Sequence, residues 1–189
     1  IVTATGVQTN TWTTNPASTS WLAAIATYYS AGAGQQRVFA GDQSGTVYAV
    51  NTATGTTGSP GWQVTPAGST AIQAGVSIQI RAYSQATTAF NTAYPGNYDV
   101  VFAATNNAST TNNKLFALRS DTGETLWAFP LAAEPPQNKN VDQILGQPWV
   151  DYARNRLYVT SKSNGGGQPS LWVLNSLNGS VVTTFYLGA

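Results

Sequence analysis

The chain has 189 residues, with eight Lys and Arg against seven Asp and Glu for a net charge of +1, and no His, Cys or Met. Without a net field it has no charge-driven affinity for nucleic acid or anionic membrane, and without His or Cys it has no imidazole or thiolate ligand, no disulfide and no histidine-activated nucleophile. Charged residues are 8% of the chain, well below the roughly 25% of an average soluble protein, but the plentiful aromatic and β-branched residues exclude disorder and describe a β protein with a neutral polar surface.

Residues 1–20 read as the end of a repeat unit (Ile1–Gly6, then Trp12) followed by a Thr/Asn/Pro-rich connection. The apolar run Trp21–Ala26 is far shorter than the roughly 20 residues of a membrane span. Thr27-Tyr28-Tyr29 turns the stretch 21–29 towards a strand, the innermost of a first sheet. A turn at 30–36 follows, then a strand at Arg37–Ala40, a hairpin turn at Gly41–Gly45, a strand at Thr46–Val50 and an outer strand at Trp62–Val64. Between Gly55 and Trp62 lie three residues more than between Gly123 and Trp127; this insertion contains Pro60 and must bulge outwards.

A second unit repeats the order. Val76–Ile80 alternates apolar and polar, with Arg81 and Tyr83 beyond it. A long Thr/Asn/Pro loop spans 84–97, and Asp99–Ala104 is the next strand. An Asn-rich loop covers Thr105–Asn113, and Leu115–Leu118 and Thr125–Phe129 complete the unit. Pro130, Pro135 and Pro136 belong to a crossover. The third unit runs from Pro148–Tyr152 through the turn Ala153–Asn155, then Arg156–Thr160, the glycine run Gly165–Gly167, Leu171–Leu174 and Val181–Leu187. No helix longer than two turns is predicted.

The stretch Lys114–Trp127, KLFALRSDTGETLW, is the clearest copy of the repeat. Its apolar run is too short for a free-standing helix, and Ser120-Asp121-Thr122-Gly123 is turn chemistry: the Asp and Ser side chains accept backbone amides, and Gly123 takes positive φ. Val47–Gly55 and Leu171–Gly179 have the same shape. The repeat glycines fall at 6, 55, 123 and 179, a spacing of 49, 68 and 56 residues. That is the range of a four-stranded propeller blade with loops of variable length. The predicted fold is therefore all-β, a β-propeller of four-stranded antiparallel blades. Residues 1–20 end a preceding blade, and 21–66, 67–132 and 133–189 form three blades.

Ala117, Thr122, Gly123 and Trp127 stand in the order Ala-x-Asp-x-x-Thr-Gly-x-x-x-Trp, with Arg119 at the Asp position. This resembles the tryptophan-docking repeat of quinoprotein-like β-propellers. The first blade keeps Ala49, Thr54 and Gly55, with Asn51 for Asp and Trp62 displaced by the insertion. The third has Val173, Asn175, Asn178 and Gly179, with Thr183 in place of Trp. The resemblance implies structural docking roles for Ala49, Thr54, Gly55, Trp62, Ala117, Thr122, Gly123, Trp127 and Gly179. It also implies a ring of about six to eight blades. Three blades cannot close a ring and leave sheet faces exposed. The chain is thus expected to be part of a longer polypeptide, or to have its open ends covered by a protein partner or by another copy in a homo-oligomer.

Dehydrogenases of this family hold pyrroloquinoline quinone on the propeller axis. The resemblance assigns them a vicinal cysteine pair, a stacking Trp and a calcium ion bound by Glu, Asn and Asp. This chain has no such cysteines and no adjacent acidic cluster, so the expectation is fold without cofactor or metal. The string Gly41-Asp42-Gln43-Ser44-Gly45 is a hairpin turn rather than a hydrolase loop, since no His base exists. Asn106–Asn113 offers no carboxylate for calcium. Tyr83, Phe90, Tyr94 and Tyr98 are expected to pack under the long loop rather than bind a glycan. The functional expectation is a non-enzymatic, secreted or cell-surface propeller module, extracellular or periplasmic, acting as interaction scaffold, adhesin or structural subunit, with no nucleic-acid partner and no membrane insertion. The alternative is a fragment of a quinoprotein-type oxidoreductase whose cofactor site lies elsewhere.

Overall fold

The computed structural model of the chain describes residues 27–30, 36–57, 61–84, 87–108, 113–131, 141–162 and 168–187. The remnant repeat with Gly6 and Trp12, the start of the strand expected at Trp21, Pro60, Pro135, Pro136 and the glycine run 165–167 lie outside them. The described residues form three four-stranded antiparallel sheets, each in sequential order. Sheet one holds β1 (Thr27–Ser30), β2 (Gln36–Gly41), β3 (Val47–Asn51) and β4 (Trp62–Val64). Sheet two holds β5 (Ser77–Gln79), β6 (Val100–Ala104), β7 (Leu115–Arg119) and β8 (Thr125–Phe129). Sheet three holds β9 (Trp149–Asp151), β10 (Arg156–Thr160), β11 (Leu171–Asn175) and β12 (Val181–Phe185). This is the all-β blade architecture that the repeats predict, in an arc that the described sheets do not close into a ring.

The same turn recurs between the third and fourth strands of every sheet. The amides of Gly55, Gly123 and Gly179 donate to the carbonyls of Asn51, Arg119 and Asn175 at 2.8, 3.0 and 2.8 Å. The glycines have φ of +71°, +77° and +75°, the left-handed region that an L side chain enters at a cost of about 1–2 kcal/mol. Asn51 and Asn175 accept the amide two residues on, from Ala53 at 2.9 Å and Leu177 at 3.0 Å. Arg119 cannot accept, so the middle turn is built differently. Its guanidinium donates twice to Asp121, at 3.0 and 2.8 Å. Asp121 is held below the usual carboxylate range, chiefly by that hydrogen bond from Arg119.

Apolar residues on both faces of sheet two make it the middle layer. Every residue of β6 is buried, as a strand covered on two sides requires. One core cluster joins Phe39, Ala49 and Trp62 of sheet one to Val101, Ala103, Phe116 and Leu118 of sheet two. The other joins Phe102, Ala117, Trp127 and Phe129 of sheet two to Leu157, Val159, Trp172 and Leu174 of sheet three. Ile72 and Ile144, in the two connectors between sheets, complete these clusters. The connectors are tied to the neighbouring loops in the same way: Asn106 N donates to Ala71 O at 2.6 Å and Lys162 N to Gln143 O at 2.8 Å.

The expected loop 84–97 is corrected in one respect. It contains a two-turn helix, α1 (Thr87–Ala93), preceded by a single 3₁₀ turn at Arg81–Tyr83. A helix this short is marginal by itself. Phe90 and Tyr94 lie four residues apart on one side of it, with ring centroids 5.0 Å apart, and both are buried in the core of sheets two and three. Burial of that side, rather than local propensity, holds the helix, and Pro95 ends it. Tyr98 is buried as well, while Tyr83 is 67% exposed.

Candidate functional site

Six of the repeat residues, Ala49, Trp62, Ala117, Gly123, Trp127 and Gly179, meet at the joints between sheets. Trp62 sits opposite Ala49 in register, and Trp127 opposite Ala117. The three-residue insertion before Trp62 is therefore absorbed ahead of β4, which re-enters the ladder at the equivalent position. Each indole crosses to the next sheet. A Cβ built on Gly123 would lie 2.6 Å from Cε3 of Trp62, and one on Gly179 would lie 2.6 Å from Cε3 of Trp127. Both Trp rings are 8% exposed. Glycine is required at these turns twice over, by φ and by the ring that lies against it.

The polar edges of the two indoles are satisfied differently. Trp62 Nε1 donates to Ser120 O at 2.9 Å, and Arg37 Nη1 donates to the same carbonyl at 3.0 Å. At the second joint the equivalent carbonyl is Ser176 O. Trp127 Nε1 donates to the Tyr94 hydroxyl at 2.8 Å, and that hydroxyl donates to Ser176 O at 2.9 Å. Helix α1 thus inserts a phenol as a relay. Burial pushes the Tyr94 pKa far above its ordinary value of 10.0, which keeps the relay proton in place.

Thr54 and Thr122 are exposed and bond only within their turns, Thr54 with Thr56 and Thr122 with the amide of Glu124. Neither reaches an indole. No described tryptophan lies on the Gly55 turn, and Thr183 occupies the Trp position of sheet three, opposite Val173. The residues missed by sequence reasoning are Tyr94, Arg37 and the carbonyls of Ser120 and Ser176. The one available signal was that Ser120 and Ser176 each stand three residues before a repeat glycine.

At the inner edge of the arc, a cleft of about 340 Å³ is lined by Ser77, Ile78, Gln147, Pro148, Trp149, Val150 and Tyr152. Its polar side chains already serve the fold. Tyr152 donates to Ile78 O at 2.7 Å and accepts from Ile80 N at 3.4 Å, Gln147 Nε2 donates to Val76 O at 2.9 Å, and the Ser77 hydroxyl donates to Pro148 O. Tyr152 and Gln147 thereby cap the free edge at β5, which would otherwise template another strand.

The donor set does not fit the quinone and calcium of the related dehydrogenases. Among the described residues no three His, Cys, Asp or Glu side chains lie together. Asp42 accepts from Ser44, Thr46 and Tyr48, Asp99 from Arg81 N, Asp121 and Glu124 from Arg119, and Asp151 from Arg154.

Stacked four-stranded sheets, locked by a tryptophan of one against the turn glycine of the next, define a propeller-type repeat protein. The match that places it lies over residues 79–184, which carry the sequence pattern of outer membrane protein assembly factor BamB. This stretch is more than half of the chain, and the protein belongs to that family. Among solved structures it is similar to BamB from Moraxella catarrhalis, with 18% identity and a TM-score of 0.50 over 81% of this chain. That likeness shows the fold, and the chain spans 35% of the length of that protein. No curated protein matches it.

Proposed function

We propose that the chain is a non-catalytic protein-interaction scaffold of the bacterial cell envelope, serving outer membrane protein assembly as the family description states for BamB. The observation that carries this reading is the use of the sheet faces. Sheets one and two each bind the next sheet through a row of apolar and aromatic side chains, and the corresponding row of sheet three leaves Trp149 63% exposed and Thr183 exposed, with Tyr158 half-buried. Exposed apolar faces rimmed by polar residues mark protein-binding surfaces. The nine residues of the repeat pattern serve the blades: Trp62 with Gly123 and Trp127 with Gly179 lock neighbours, Ala49 and Ala117 make room beside each Trp, and Thr54, Thr122 and Gly55 shape the turns. Further blades of a longer polypeptide, or a separate protein, would cover the arc's ends. Adhesin and structural-subunit roles are forms of the same scaffold reading and differ only in partner and placement.

Removing the gene from the source cell tests this. The expected result is a reduced level of outer membrane β-barrel proteins, restored by the intact chain; unchanged levels overturn the reading. Titrating purified protein with pyrroloquinoline quinone and calcium tests the oxidoreductase alternative. The expected result is no saturable quenching of tryptophan fluorescence and no dye-linked dehydrogenase activity.

A further inference from the structure

The glycine turn of sheet three differs from its two copies at one position. The residue before the repeat glycine is Thr54 in sheet one and Thr122 in sheet two, but Asn178 in sheet three. An Asn side chain carries an amide carbon that the next main-chain nitrogen can attack, and a glycine at that next position leaves no Cβ in the way. Asn178 is exposed, and so is Thr122 at the same place in the sheet covered on both faces, so this accessibility does not depend on what stands beyond sheet three. Asn178 Oδ1 accepts from Ser180 N at 3.0 Å and from Ser180 Oγ at 2.8 Å. Both donors meet the oxygen on which negative charge develops when the carbon is attacked. The nucleophile, by contrast, is locked. Gly179 N donates to Asn175 O at 2.8 Å, and the turn is held at φ +75° with the Trp127 ring lying against Gly179.

We propose that Asn178–Gly179 is a deamidation site gated by the joint between sheets two and three. While the joint is closed, the Gly179 amide stays bonded to Asn175 and the reaction is suppressed. When the joint opens, hydroxide takes the Gly179 amide proton and the nitrogen attacks Cγ of Asn178. The new N–Cγ bond closes a cyclic imide. The bond from Cγ to the side-chain nitrogen breaks, and that nitrogen takes up a proton from water and leaves as ammonia. Water then opens the ring at either carbonyl, giving aspartate or isoaspartate at position 178. Isoaspartate routes the main chain through the side-chain carbon, which adds one C–C length of about 1.5 Å ahead of Gly179. The turn then cannot set Gly179 N on Asn175 O and keep the glycine against the Trp127 ring at the same time, so the opened joint does not close again. The turns of sheets one and two carry no such site, since Thr54 and Thr122 have no amide to lose.

Peptide mapping of the intact chain by mass spectrometry, after incubation at neutral pH, measures conversion at Asn178, and isoaspartyl methyltransferase labels the isoaspartate. Asn164–Gly165, the other Asn-Gly pair of the chain, reports the same chemistry in each digest. Conversion at Asn178 should be at least about tenfold slower in the folded chain than in urea, because openings that break a buried contact are rarely populated. Tyr94→Phe keeps the Trp127 ring but removes its hydrogen-bond partner, and should speed conversion in the folded chain about fivefold or more. Trp127→Ala should speed it further. Retained hydrogen-exchange protection in β6 shows that a variant is folded during the incubation, and Tyr94→Phe carries the test if Trp127→Ala is not. Equal rates in the folded chain and in urea, no isoaspartate at 178 in urea, or no acceleration in Tyr94→Phe would each overturn the gate. The product is tested separately. The isoaspartyl chain, separated by its added charge, should have a lower urea midpoint than Asn178→Asp, which carries the same charge without the longer main chain. Equal midpoints overturn the claim that the product keeps the joint open.

Discussion

At Gly179 the backbone turns with φ +75° and the Trp127 ring lies where a Cβ would stand. Two penalties therefore meet in one substitution. Gly179→Ala should cost about 1–2 kcal/mol for the left-handed backbone and a further 1–3 or so for crowding the indole. Trp127→Ala should cost about 3–5 kcal/mol, since it empties a buried ring site. The two are coupled through direct contact, so they should not add. In the Trp127→Ala background, Gly179→Ala should cost only the backbone term of about 1–2 kcal/mol. Urea denaturation of the four proteins of this cycle measures it, and strict additivity would show that the ring does not rest on the glycine.

Tyr94 supplies the second residue-scale prediction. Tyr94→Phe leaves the Trp127 indole N–H and the Ser176 carbonyl buried without their partner, at about 1–3 kcal/mol. The pH dependence follows from burial, which raises the Tyr94 pKa above its ordinary value. The unfolded chain ionises this phenol near pH 10 and the folded chain does not. Its contribution is therefore complete below about pH 10 and is lost as pH rises from there towards the folded pKa. Tyr48, raised by desolvation and then by its hydrogen bond to Asp42, adds in the same direction. Stability measured between about pH 9 and 11 should fall less steeply in Tyr94→Phe than in the parent chain; equal slopes would remove Tyr94 as a source of the alkaline loss.

Among the elements, α1 is a short one that nevertheless holds two sheets at once. It is inserted between β5 and β6 of sheet two, yet Tyr94 at its end reaches Ser176 of sheet three. Phe90 is fully buried, and Phe90→Ala should cost about 3–5 kcal/mol, as much as a change in a strand core. A loss below 1 kcal/mol or so would mean that the helix merely decorates the loop. The Arg119–Asp121 pair is a useful contrast. It is short, at 2.8 Å, but partly exposed on both sides, so replacing Arg119 should change stability little.

For the whole molecule, the order of the sheets sets an order of protection. Sheet two is covered on both faces, and β6 and β7 are buried almost throughout. Sheet three lies at one end of the arc, and the outer strand β12 is half-buried or exposed along its length. Hydrogen exchange should be slowest in β6 and β7 and fastest in β12, because local opening follows the number of buried neighbours. Uniform exchange across the three sheets would mean that they unfold as one block.

The strand and turn plan was legible in the chain because its signals are local. Leu115–Leu118 is too short for a helix, each repeat glycine needs positive φ, and Thr122-Gly123 with Trp127 marks the joint. Other features were not legible, because each depends on residues far apart in sequence. The insertion before Trp62 suggested a displaced docking residue, yet β4 pairs with β3 in the equivalent register. Helix α1 has no strong helical pattern and exists through the burial of Phe90 and Tyr94. Composition and repeats by themselves determined an all-β blade protein with neither imidazole nor thiol chemistry, since turn geometry and residue inventory need no tertiary context. Only the tertiary structure decided that Trp62 and Trp127 lock the following sheet rather than their own, that a tyrosine completes the second joint, and that Trp149 of the third sheet is left exposed. Those outcomes depend on which surfaces meet, and that is settled by packing between residues tens of positions apart.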